Sequence, residues 1–177
     1  HGLIMLLDWS GSMCSHMYPT IQQLLNLVWF CQKVNIPFEV YAFSGVYWGS
    51  KRGQSHGEAF DEARLRYFME RSSFQTKVGD AQLGFLHKDM ALLNFFSSKM
   101  TAREITEMSK ALYGYCHTGD GEYYRSSPMM QGDGAFGLGA TPLVEALVGM
   151  QKIVPWFKQS NKLDVVNMIT LTDGGGN

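Results

Sequence analysis

The chain has 177 residues, 45% of them hydrophobic, which describes one domain of ordinary size with enough apolar material for a core. A formal charge of -1 and a pI near 6.6 exclude a general electrostatic attraction to nucleic acid or to an anionic membrane. No apolar run approaches bilayer length and no signal peptide is evident, so neither a membrane nor a nucleic acid is expected as a partner.

In chain order, the continuous apolar run "LIMLL" (residues 3–7) predicts a first strand, buried on both faces and stopped by "DWSGSM". From Pro19 to about Val34 the apolar residues Ile21, Leu24, Leu25, Val28 and Cys31 recur at helical spacing. Leu27, Phe30 and Val34 add a second apolar side, predicting a helix covered on most of its surface. Pro37 interrupts, and "FEVYAFSG" predicts a second strand, completing a β-α-β unit with a parallel pair. The middle segment, residues 46–133, reads as an insertion or an elaborated loop region. Within it "MALLNFF" suggests a third strand, and "TAREITEMSKALYG" a helix with a capping box of Thr101 and Glu104 and an apolar face of Ile105, Met108 and Leu112. Thr141 and Pro142 then occupy the cap and first-turn positions of a helix whose Leu143, Leu147, Met150, Val154 and Phe157 face inward. A last strand runs from about Asp164 to Leu171 and is stopped by glycines. Alternation of strand and helix argues for an open α/β sheet, mostly parallel, over a single domain spanning 1–177. The chain starts at His1 and stops at "TDGGGN", which suggests a piece of a longer protein.

Ligands of open α/β sheets sit outside the carboxyl ends of the strands. Asp8 and Asp173 are expected at such ends, and Thr141 on the loop entering the helix before the last strand. With Ser10 and Ser12 they form a set of two carboxylates and three hydroxyls, all oxygen. Hard divalent cations prefer such ligands, magnesium in octahedral geometry with retained waters, and Mn2+ or Ca2+ as substitutes. Gly11 between the serines is expected to let the backbone turn so that both hydroxyls face one point. The same residues have plainer uses: Asp8 to Ser12 as an Asp-led turn capping the next helix, Thr141 as a helix N-cap, "TDGGG" as a turn.

Taken together, "DWSGSM", "GATPL" and "TLTDGG" resemble the D-x-S-x-S, threonine-loop and distal-aspartate elements of von Willebrand factor type A domains. The resemblance covers the first strand and helix, the second strand, and the final helix and strand. It implies a Rossmann-like three-layer α/β/α sandwich carrying a metal-ion-dependent adhesion site. Ser10, Ser12 and Thr141 would be inner ligands, and Asp8 and Asp173 would lie in either shell. It further implies a magnesium ion that binds an Asp or Glu of a protein partner. Intracellular members of the family often work beside AAA+ ATPases, as in magnesium and cobalt chelatases and the MoxR-associated proteins. The stretch "NLVWFCQKVNIPFEVYAFS" followed by a large insertion is similar to the cobalt-chelatase subunit type, phage-encoded relatives included, a type that commonly lacks a clear threonine loop.

Three cysteines, Cys14, Cys31 and Cys116, are odd in number and lack paired spacing, and there is no N-x-S/T sequon. A reducing cytoplasm, the host's if the chain is phage-encoded, fits better than an extracellular adhesion domain. A metal-dependent hydrolase or peptidase is the main rival reading, against which no His or Glu is placed by motif as general base. Cys14 and His16 lack a second soft pair at ligand spacing, and "HGE" at 56–58 resembles half of a zinc deaminase motif without its P-C-x-x-C partner. Neither G-x-S-x-G nor a phosphate-binding P-loop is present, and Asp8 lacks the second aspartate of phosphoaspartate enzymes. Tyr47, Trp48, Tyr123 and Tyr124 are candidate contact residues in loops.

Overall fold

A computed structural model describes residues 1–45, 90–117, 138–139 and 141–174. Its strands are β1 (Gly2–Asp8), β2 (Phe38–Gly45), β3 (Met90–Ser97) and β4 (Val166–Leu171). Its helices are α1 (Met17–Lys33), preceded by a 3-10 turn (Ser12–His16), α2 (Ala102–His117) and α3 (Leu143–Ser160). The strands form one sheet in the order β3-β2-β1-β4, with β1 parallel to both neighbours and β3 antiparallel to β2. The fold is therefore mixed α/β with a mostly parallel sheet. The predicted loops of 46–89 and 118–137, with Tyr47, Trp48, His56, Glu58, Tyr123 and Tyr124, lie outside the described residues.

β1 is central, so its side chains are covered on both faces, and Ile4, Met5, Leu6 and Leu7 are fully buried. Each such side chain contributes roughly 1.5–3 kcal/mol relative to exposure. Alternation sends Met5 and Leu7 into a core with α1, α2, Val40 and Ala42, and Ile4 and Leu6 into a core with α3, Tyr41 and Phe43. The α1 stripe Ile21, Leu24, Leu25, Val28 and Cys31 is buried as expected. Its second apolar side is not: Phe30 is 55% exposed and Val34 45%, because only one face of α1 meets the sheet and α2. Tyr18 and Tyr113 join α1 to α2, their hydroxyls 2.9 Å apart.

On α3 the buried residues are Ala146, Gly149, Met150, Ile153 and Phe157. Leu147, expected inside, is 40% exposed, since the helix contacts the sheet a fraction of a turn away from the apolar spacing read in sequence. Thr141 does not cap this helix; Pro142 holds the N-cap position and no side-chain hydrogen bond is made there. Among the described residues β4 pairs on one edge only and is the least covered strand, with Met168 and Ile169 exposed on opposite faces. No helix among the described residues is long and apolar enough to cross a membrane.

Candidate functional site

The carboxyl end of β1 is where the chain's polar residues collect, and its geometry follows from one aromatic anchor. Trp9 is fully buried in the α1 and α2 core, packed edge-on against Phe95 with ring centroids 5.0 Å apart, and its amide donates to the Phe43 carbonyl at 2.8 Å. With Trp9 turned to one face, strand alternation puts Asp8 and Ser10 together on the other. Both are buried, at 0% and 1% exposure.

After Ser10 the chain enters the 3-10 turn, where the Met13 amide donates to the Ser10 carbonyl at 3.2 Å and Met13 is buried. This turn folds Ser12 back so that its hydroxyl lies 3.0 Å from that of Ser10. Gly11 is not required for the bend: its φ of -61° and ψ of -32° are right-handed values open to any residue. What Gly11 supplies is an amide, which donates to the Gly139 carbonyl at 3.0 Å.

Gly139 ties the threonine loop to the site. It forms a parallel bridge with Ser10, and its amide reaches the buried Ser44 hydroxyl at 3.0 Å and the Trp9 carbonyl at 3.3 Å. A Cβ here would overlap the Gly45 carbonyl, so glycine is dictated by close approach of two backbones. Two residues on, Thr141 is buried at 8% exposure, and its hydroxyl is not engaged in capping α3.

The third segment arrives from β4. Leu7 is in register with Leu171, so Thr172 follows opposite Asp8, and its hydroxyl donates to Asp8 Oδ2 at 2.8 Å. The Gly174 amide donates in turn to Thr172 Oγ1 at 3.2 Å, across a turn in which Gly174 takes φ of +111°, a left-handed value that favours glycine. Asp173, between them, is exposed. Asp8 Oδ1 is buried and has no hydrogen-bond partner among the described residues, as is also true of Ser109 Oγ and Glu145 Oε2. A buried carboxylate oxygen without a donor is costly.

Segments 8–12 and 172–174 and Gly139 therefore meet at one edge of the sheet, linked by the Ser10 bridge to Gly139 and by the Thr172 bond to Asp8. Ser44 and Thr172 are members that sequence reasoning missed. The signal for Thr172 was available in the parallel register of "TLT" against "LLD". Among the described residues no group of three or more His, Cys, Asp or Glu side chains is placed to hold a metal, so the donors here are chiefly hydroxyls. Cys14 is exposed on the 3-10 turn, whereas Cys31 and Cys116 are buried, and burial pushes the Cys116 thiol up to about 12.

A second buried polar group lies at the opposite end of the sheet. Glu39, 2% exposed, accepts hydrogen bonds from Asn94 Nδ2 at 2.8 Å and Ser97 Oγ at 2.7 Å, and burial raises its carboxyl above the ordinary range. It pins β2 to β3 across a bulge between Val40 and Tyr41.

No family model, no curated protein and no solved structure matches the chain.

Proposed function

We propose that this chain is a von Willebrand A-type domain, a Rossmann-like three-layer α/β/α sandwich whose polar edge binds magnesium and, through it, a carboxylate of a protein partner. The observation that carries this reading is Asp8 Oδ1, a buried carboxylate oxygen without a donor among the described residues, on a side chain whose neighbours in the fold are hydroxyls from separate segments. A hard cation is the ligand that such an oxygen and neutral hydroxyl donors suit. The strand order β3-β2-β1-β4, with β1 central and the polar cluster at its carboxyl end, supports the same reading.

Ser10, Ser12 and Thr141 would hold the ion directly, with Asp8 and Asp173 beside it or acting through water. The ion would supply an electrophilic centre for an incoming Asp or Glu side chain. The protein's own residues do the rest. The buried Trp9 and Met13 anchor the chain on either side of the serines, Gly139 fixes the threonine loop, and the preponderance of neutral donors leaves positive charge for the partner's carboxylate. An AAA+ ATPase is the partner class that the family resemblance favours, with cytoplasmic residence to match.

Titrating magnesium into the pure chain tests the proposal. The melting temperature is expected to rise, by an amount equivalent to about 2.7 kcal/mol at a hundredfold excess over Kd. Asp8→Ala and Ser10→Ala are expected to abolish the rise. Absence of any shift with millimolar Mg2+, Mn2+ or Ca2+ in the wild type would overturn the metal site. Peptide hydrolysis that vanishes in Asp8→Ala would favour a hydrolase instead.

A further inference from the structure

We propose that Thr172 sets the cation preference of this site, holding Asp8 to a single available oxygen and so favouring magnesium over calcium. The proposal rests on the metal-binding reading above and goes beyond it to name the residue that discriminates. Asp8 is wholly buried, so its two oxygens meet only what the protein places around them. Oδ2 is occupied by the Thr172 hydroxyl at 2.8 Å. That hydroxyl does not swing freely, because Oγ1 also accepts the Gly174 amide at 3.2 Å, which directs its proton toward the carboxylate. The Gly174 amide is itself held in place by a left-handed turn. Of the two carboxylate oxygens, Oδ1 is the one left without a hydrogen-bond partner among the described residues.

Calcium takes six to eight oxygens at variable angles and readily binds a carboxylate through both of them, whereas magnesium takes six in a strict octahedron and uses one oxygen per carboxylate or reaches it through a retained water. An Asp8 with one oxygen engaged by Thr172 suits the second requirement and denies the first. Neither Ser10 nor Ser12 offsets this, since a hydroxyl has a single oxygen to give.

The test compares wild type, Thr172→Val and Thr172→Ser by isothermal titration calorimetry with MgCl2 and CaCl2 separately, with circular dichroism to verify folding. Valine keeps the shape and removes the donor; serine keeps the donor. The ratio of magnesium to calcium affinity is expected to fall roughly tenfold in Thr172→Val and to stay within about threefold of wild type in Thr172→Ser. A ratio unchanged in Thr172→Val, including loss of both cations by the same factor, would overturn the proposal while leaving the metal site intact. If wild type binds neither cation, the metal reading itself fails. Should the valine variant not fold, Thr172→Ala removes the same donor and reads the same ratio.

Discussion

The site depends on a few residues whose roles are geometric rather than chemical. Trp9 sorts Asp8 and Ser10 onto one side of the chain by occupying the other, and Gly139 lets two backbones touch where any side chain would intrude. Gly139→Ala is therefore expected to destabilise the fold by about 1–3 kcal/mol through overpacking. Ser44→Ala, which removes one of two acceptors for the Gly139 amide, is expected to cost about 1 kcal/mol. Urea unfolding of both variants against wild type checks the order. At this scale the sequence exposed the oxygen donors as residue types, because "DWSGSM" and "GATPL" display them in local spacing. It concealed Ser44 and Thr172, whose partners lie 95 and 164 residues away and become visible only through strand register. The role assigned to Gly11 failed for a related reason: glycine can adopt unusual torsions, but here the chain needs only its amide.

Helix ends show what local chemistry can and cannot specify. The Thr101 and Glu104 capping box at the start of α2 forms as read, with the Thr101 amide donating to Glu104 Oε2 at 2.7 Å and the Glu104 amide to Thr101 Oγ1 at 3.3 Å. The Thr101 amide, with the Thr101 hydroxyl that also donates to Oε2 at 2.8 Å, holds the Glu104 carboxyl below its ordinary range. Thr101→Ala is expected to lower stability by about 1 kcal/mol, and Thr101→Ser to restore most of it, measured by thermal or urea denaturation. Thr141 offered an equally good cap on paper, yet the chain turns at Pro142 and leaves its hydroxyl out of the helix. At the other ends, α1 and α3 both close with a residue in the left-handed region, Asn35 and Lys162, and with paired amide bonds back to the last turn, such as Ile36 to Cys31 at 2.9 Å and Leu163 to Lys158 at 2.9 Å. Neither end carries the glycine that would have announced it. The boundary at Lys33 was legible only through Pro37 beyond it. Burial along helices was partly legible: periodicity found the α1 stripe, but the apolar residues Phe30, Val34 and Leu147 are exposed because tertiary contact, not composition, decides which face is covered.

Over the whole molecule, the strands were readable because β1 is a continuous apolar run and β2 is rich in aromatic and β-branched residues closed by Gly45, a pattern that suits strands covered on both faces. The antiparallel entry of β3 was not readable, since direction depends on the connection that precedes it. The sheet separates two buried carboxylates to opposite ends, Asp8 where the segments converge and Glu39 where β2 begins. Around Glu39 stand Asn94, Ser97, the Tyr41 phenol and, acting from farther off, Lys99. Its raised pKa means that the folded state holds the proton more tightly than the unfolded chain. The associated stability is full below the unfolded carboxyl range and lost as pH rises through the folded value. Urea unfolding without added metal at pH 4.5 and about pH 7.5 should show this decline in wild type, and Glu39→Gln should flatten it. An identical pH slope in the two proteins would assign the decline to other groups.

Because β1 lies between β2 and β4, β1 cannot complete its far edge until β4, far along the chain, is made. Asp8 waits 164 residues for its hydroxyl donor. Contacts of such long sequence separation form late, after many loops have closed. Cation capture at this edge would accordingly serve as a certificate of a finished sheet, and a nascent chain halted before β4 would carry its serines and aspartate with nothing yet to grip.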